Sequence, residues 1–149
     1  MKCLLDTNII LRLAEPNHPM YPLALNGISY LTKNRYEYVI IPQNIIEFWR
    51  TCSRPRDKNG LGMTVEMAKI ELEKLESLFT VLLDCPRIYQ RWRELVLKYK
   101  VMGVNVHDAR LVAAMLVHQL THILTFNVDD FRRYSEITII DPREINLNS

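Results

Sequence analysis

Residues 2–11, KCLLDTNIIL, decide how the rest of the chain is read. Cys3, Leu4 and Leu5 have the character of a strand buried on both faces, and the spacing of Ile9, Ile10 and Leu13 after them is helical. Between the two lies a carboxylate, Asp6. It is either the cap of a helix that begins at Thr7 or Asn8, where Asp, Asn, Ser and Thr are all favoured, or a member of a polar site at a strand end. Thr7 and Asn8 can cap without placing a charge there, so the local sequence leaves both readings open. The question becomes whether other carboxylates arrive at equivalent places.

Further short apolar, β-branched runs fall at 37–41, 79–83, 122–125 and 137–140, each separated from the next by at least one helical pattern. Helices are expected at 7–14, 21–33, 43–53, 64–78, 86–99 and 106–119, with a short turn near 128–133. Thr64 is a suitable cap for the fourth of them. Prolines 16, 19 and 22 mark a connection, and SRPRDKNGLG (53–62) is a long, basic, turn-rich loop. Strands alternating with helices predict a doubly wound α/β sandwich, whose sites form in the crevice outside the carboxyl ends of the strands. Asp6 stands at such an end, on a first strand that is usually central.

The bulk properties agree with one domain spanning 1–149. A chain of this length buries about 70% of its extended surface, and 48% hydrophobic content with seven prolines and four glycines argues against disorder or low complexity. Nineteen basic and seventeen acidic residues give a net charge of +2, which permits a polyanionic partner without requiring one. Cys3, Cys52 and Cys85 are too far apart for a zinc or redox pair and read as thiols of a reducing cytoplasm. The start of the chain lacks the apolar core of a signal peptide, and no run approaches the ~20 apolar residues of a membrane span. A soluble, cytoplasmic protein is expected.

Three more acidic positions deserve weighing. Glu47, in PQNIIEFWRT, is flanked by apolar residues, yet Gln43, Glu47, Arg50 and Thr51 also lie along one helical stripe, so a solvated face with a Glu47–Arg50 pair explains it as well. Asp108, in NVHDARLVAAMLVHQL, is in the first turn of a helix that is apolar almost all round, where the helix dipole favours a negative charge but burial demands a partner. Asn127 and Asp130, in LTFNVDDFRRY, follow the fourth strand and have the spacing of a capping box with Asp in place of Glu. Each acid has an ordinary explanation; their recurrence at strand ends and at the start of a central helix is the signal. Clustered carboxylates repel unless protonated or neutralised, and hard divalent cations are the usual remedy.

Four segments in order, LLDTNIIL, the helix carrying Glu47, VHDARLVAAM and LTFNVDDFR, resemble the PIN-domain nucleases, and especially their toxin-like bacterial members. The resemblance covers nearly the whole chain. It implies a PIN-like three-layer α/β sandwich with a mainly parallel central sheet. It also implies a metal-dependent ribonuclease using Mg²⁺ or Mn²⁺, with Asp6, Glu47, Asp108 and Asp130 as catalytic acids and Asp6, Asp108 and Asp130 as metal ligands. Asn8, Thr125 and Asn127 would orient waters or phosphate oxygens, and Arg54, Arg56 and Lys58 would contact RNA. A homodimer and a small inhibitor, the antitoxin of a toxin–antitoxin pair, are the partners it implies. Many family members carry an acid where this chain has Asn127, so a catalytically weak or inactive RNA- or partner-binding module is the alternative.

Other motifs carry less. HQLTH (118–122) imitates a zinc-protease signature but has Gln119 in place of the catalytic Glu. His107 reads as a surface or capping residue. Arg132 and Arg133 join the basic residues available to a phosphate backbone. Trp92, Tyr99 and Met115 read as core or subunit-interface residues. An aspartate-nucleophile phosphatase also places an Asp after its first strand but requires Asp-x-Asp, and the second position here is Asn8.

Overall fold

The structure, a computed structural model, describes residues 1–146. Its five strands are β1 (Lys2–Leu5), β2 (Glu37–Ile40), β3 (Thr80–Val81), β4 (His122–Leu124) and β5 (Thr138–Ile140). They form one sheet in the order β3-β2-β1-β4-β5, and every pairing is parallel. The mainly parallel sheet expected from the alternation is wholly parallel. The helices are α1 (Thr7–Leu13), α2 (Tyr21–Lys33), α3 (Pro42–Ser53), α4 (Val65–Leu78), α5 (Arg87–Tyr99) and α6 (Asn105–Val117).

Alternation along the strands sorts side chains to the two faces. Cys3 and Leu5 of β1 join Ile40, Leu124 and the apolar faces of α1 to α4, including Ile9, Leu31, Phe48 and Leu75. Leu4 points the other way, with Val39, Ile123, Leu95 and the run Leu111–Met115 of α6. A strand flanked by helices on both sides must be apolar at consecutive positions, which is why β1 reads as an unbroken apolar run. Gly27 lets α2 approach closely: a Cβ there would lie 2.9 Å from Cδ2 of Leu124.

β3 is shorter than the apolar run at 79–83. Leu82 still donates to the Ile40 carbonyl, but Leu83 is exposed and the chain then turns through Pro86 into α5. A short outer strand also limits the unpaired edge offered to other chains. Thr64 caps α4 as expected, accepting from the Met67 N–H at 3.1 Å. The basic loop folds back on the end of α3, where the N–H groups of Leu61 and Met63 donate to the carbonyls of Thr51 and Cys52. No helix among the described residues is long and apolar enough to cross a membrane.

The strand order fixes the site. The chain leaves the central β1 toward β2 and β3, then returns to pair β4 on the other side of β1. Reversal at that point opens a crevice beyond the carboxyl ends of β1 and β4, which are followed directly by Asp6 and Thr125.

Candidate active site

Asp6 serves both of its sequence readings. In extended conformation before α1, its Oδ1 accepts from the Thr7 N–H at 2.8 Å. Its Oδ2 accepts from the Thr125 hydroxyl at 2.7 Å, so the ends of β1 and β4 are tied across the crevice. Asp6 is 5% exposed. Burial pushes its carboxyl up to about 6, against the pull of the Thr125 hydroxyl and the Thr7 N–H, with Glu47 and Asp130 adding to the rise.

Glu47 comes from the second turn of α3. Its Oε2 accepts from the Thr7 hydroxyl at 2.7 Å and its Oε1 from Gln43 Nε2 at 3.0 Å. The i, i+4 contact with Gln43 belongs to the polar stripe expected from sequence. The Glu47–Arg50 pair does not form among the described residues, because the carboxylate turns toward α1 instead. Asn44 and Gln43 support this arrangement: Asn44 Nδ2 donates to the Thr7 hydroxyl at 3.2 Å, and Gln43 Nε2 also reaches the His107 carbonyl at 2.8 Å, linking α3 to α6.

Asp108 and Asp130 differ in having no side-chain hydrogen bond or ion pair with the described residues. Asp108, half-buried in the first turn of α6, is pushed up to about 7, first by burial and then by Asp130, Asp6 and Glu47, while Arg133 opposes the rise. Asp130 sits in a short 3₁₀ turn, Val128–Asp130. The variant capping box expected there is absent, since Asn127 makes no side-chain cap and the turn closes through the Asp130 N–H to the Asn127 carbonyl. The charge of Asp130 is felt by both Asp6 and Asp108, each of which it raises. Four carboxylates from four segments therefore share one electrostatic environment.

The neutral residues named with them fall nearby. Asn8 Nδ2 lies 3.5 Å from the Thr125 hydroxyl, and its Oδ1 accepts weakly from the Phe126 N–H at 3.4 Å. The Asn127 N–H donates to the same Thr125 hydroxyl at 2.9 Å, while the Asn127 side chain is exposed. Arg54, Arg56 and Lys58 stand apart, since Arg54 follows Glu47 by about 10 Å along the α3 axis at 1.5 Å per residue. The Arg54 guanidinium turns inward and donates to the Asn59 carbonyl. Gln43, Thr7 and Arg110 are the supporting residues that sequence reasoning did not place here; Arg110 donates to Gln43 Oε1 at 3.2 Å and pairs with Asp84 at 3.3 Å.

The residues set aside fall elsewhere. His118 bonds the Leu83 carbonyl and His122 the Thr121 hydroxyl, and the positive φ of Gln119 breaks the helix between them. Trp92 donates its indole N–H to the Val106 carbonyl at 2.8 Å. Tyr99 packs edge-on against Tyr134 and bonds Glu136, so its ring and hydroxyl are both used within the chain. The cysteines are free; burial pushes Cys3 to about 12 and Cys52 to about 11.

A profile of the PIN domain matches residues 3–137, the span that contains all four acids. The chain belongs to the PIN domain family. Its fold is that of solved toxin–antitoxin PIN proteins. The VapBC-1 structure from nontypeable Haemophilus influenzae matches with a TM-score of 0.72 at 21% identity, covering 97% of this chain and 100% of that one. VapBC2 from Rickettsia felis, bound to a DNA fragment from its promoter, gives 0.71 at 16% identity over 95% of this PIN chain and 98% of the other. The Mycobacterium tuberculosis toxin VapC20, described as cleaving the sarcin-ricin loop, gives 0.64 at 13% identity, over 89% and 95%. Among functionally curated proteins, none matches this sequence significantly.

The donor chemistry of the PIN site suits a hard divalent ion, being made of carboxylate, hydroxyl and amide oxygens with no thiol or imidazole. Among the described residues no group of three or more His, Cys, Asp or Glu is arranged to hold an ion as it stands. Asp108 and Asp130 make no side-chain hydrogen bond or ion pair among the described residues, so their oxygens are not committed there to other groups.

Proposed function

We propose that this protein is a Mg²⁺- or Mn²⁺-dependent endoribonuclease and the toxin of a toxin–antitoxin pair acting in the cytoplasm. What supports the reading is that Asp6, at the end of β1, and Asp108, in α6, are each raised by the charges of Glu47 and Asp130, while Asp108 and Asp130 make no side-chain hydrogen bond or ion pair among the described residues. Asp6, Asp108 and Asp130 would hold the metal, with Glu47 completing the catalytic acids. Divalent ions at such a site supply charge neutralisation, an activated water and stabilisation of the leaving oxygen in displacement at phosphorus.

The chain's own residues then have defined tasks. The Thr125 hydroxyl and the Thr7 N–H hold Asp6 in one orientation, and the Thr7 hydroxyl with Gln43 fixes Glu47. Asn8 and Asn127 offer amide groups to waters or phosphate oxygens. Arg56 and Lys58, exposed on the basic loop, are RNA contacts only for a strand long enough to reach them. The homodimer implied by the resemblance belongs to the same proposal and is read by sedimentation velocity. An apolar groove between α1, α2 and α4, lined by Leu13, Leu25, Ile28, Leu75 and Leu78, has the composition to receive an amphipathic helix of an antitoxin.

The exposed Asn127 side chain favours the second reading, a weakly active or inactive module, because it leaves one acid fewer at the site. Labelled RNA incubated with Mg²⁺ or Mn²⁺, with EDTA, and with purified Asp6→Asn separates the two. Metal-dependent cleavage that both EDTA and Asp6→Asn abolish supports the nuclease. Equal cleavage by wild type and variant identifies a contaminant and refutes it.

A further inference from the structure

Glu47 is held through both of its oxygens, and each of its two donors has a direction that some other residue must set. The Thr7 hydroxyl has one hydrogen to give. Asn44 settles where it goes: its Nδ2 donates to the Thr7 oxygen at 3.2 Å, which leaves the hydroxyl hydrogen for Oε2 of Glu47 at 2.7 Å. Asn44 is fixed in turn by the Ile41 N–H, which donates to its Oδ1 at 3.0 Å. That side of Glu47 is anchored to backbone.

The other side is anchored through side chains. Gln43 bonds Oε1 of Glu47 at 3.0 Å only while its carboxamide nitrogen faces the carboxylate. Turned over, the amide would set one acceptor against another. A guanidinium has donors alone, and Nη1 of Arg110 donates to the Gln43 oxygen at 3.2 Å, so the amide nitrogen is directed to Glu47 and to the His107 carbonyl at 2.8 Å. Gln43 is thereby clasped at both ends of its amide by one turn of α6. Asp84, beyond the end of β3, pairs with Nη2 of Arg110 at 3.3 Å. Asp84, Arg110, Gln43 and Glu47 form a chain from the surface to the acids.

An ordinary surface ion pair is the plainer account of Arg110, whose side chain is 36% exposed against 44% for Asp84. Such pairs contribute little to stability. That account leaves the bond to Gln43 unexplained. Gln43 is buried, and without Arg110 its amide oxygen has no hydrogen-bond partner among the described residues.

We propose that Arg110 is a positioning residue for Glu47: through Gln43 it fixes the direction in which the carboxylate is held, and Asp84 fixes Arg110. The consequence for cleavage rests on the nuclease reading; the effect on Gln43 does not.

The direct readout is the side-chain amide of Gln43 in the metal-free full chain, followed by proton–nitrogen correlation NMR at fixed pH and assigned by its loss in Gln43→Leu. In wild type its hydrogens are expected to exchange slowly with solvent. Arg110→Met should shift both resonances and speed their exchange toward that of an exposed glutamine, while the melting temperature in EDTA stays close to wild type. Arg110→Lys, which restores a donor, should return them part of the way. Asp84→Asn, at the exposed end of the chain, gives the same comparison with a smaller shift should Arg110→Met melt well below wild type. In cleavage assays with Mn²⁺, Arg110→Met is expected to lower kcat about tenfold with KM for RNA unchanged, against the roughly hundredfold cost of displacing a reacting group by about 1 Å. Because Arg110 acts through Gln43, the double variant with Gln43→Leu should lose no more than Gln43→Leu alone. Unmoved Gln43 resonances in Arg110→Met overturn the proposal, as do losses that multiply in the double variant. So does a raised KM with kcat intact, which would make Arg110 a contact of the RNA itself. A wild type that cleaves no RNA while Gln43 still responds to Arg110 removes the nuclease and keeps the positioning.

Discussion

The hydroxyl of Thr125 donates to Oδ2 of Asp6 across 2.7 Å, joining residues 119 positions apart in sequence. It closes the crevice where the strand order reverses, and it is the strongest restraint on a buried carboxylate that burial drives toward protonation.

Thr125→Val keeps the shape and deletes the donor. It should destabilise the metal-free chain at pH 8 by about 1–3 kcal/mol, the cost of leaving a buried acceptor unsatisfied, and raise the Asp6 pKa further. Urea denaturation at pH 8 measures the first effect. Thr125→Ser, which restores a hydroxyl, should recover most of it; no loss in the valine variant would show that Asp6 is solvated from elsewhere.

Raised acids give the metal-free protein an unusual pH dependence. Asp6 at about 6 and Asp108 at about 7 both lie above their unfolded value of 3.8. Their protonated forms therefore favour the fold, and that contribution is lost as pH rises through 6 and 7. Stability in EDTA should fall between about pH 4 and 7, by about 3 kcal/mol from Asp6 alone, whereas below pH 4 the depressed Glu136 and Asp141 reverse the trend. Melting curves across this range test it, and a flat profile from pH 4 to 7 would contradict the rise that burial imposes on Asp6 and Asp108.

Glu47→Gln removes one charge while retaining an acceptor for the Thr7 hydroxyl. The variant should melt higher than wild type in EDTA, because Glu47 raises both Asp6 and Asp108. Wild type should gain about 2.7 kcal/mol from Mn²⁺ at a hundredfold excess over Kd, and the variant less. Identical gains with unchanged RNA cleavage would return Glu47 to the polar stripe.

Asn127→Asp adds a carboxylate where many PIN domains carry one. It is expected to strengthen Mn²⁺ binding and raise the cleavage rate, with a small loss of metal-free stability because the side chain is exposed. Isothermal titration with Mn²⁺ and a cleavage time course decide it. Unchanged affinity would mean that Asp130 already supplies the fourth charge.

Much of this protein is local and therefore legible in one dimension. The apolar run before Asp6, the helical spacing after it and the strand–helix alternation determine a parallel α/β sheet, because a strand covered on both faces must be apolar throughout. The resemblance to PIN motifs singles out Asp6, Glu47, Asp108 and Asp130, in order, as candidate site residues. Periodicity could not say which way Glu47 faces, since Arg50 and Thr7 are equally available in sequence terms and only the packing of α3 against α1 brings the Thr7 hydroxyl within 2.7 Å. Nor could it show that Asp6 both caps α1 and accepts from Thr125 across the crevice. The roles of Gln43 and Arg110 depend on α3 and α6 meeting. Those contacts are non-local, and their distances are set by how the helices pack on the sheet, which no window of the sequence contains.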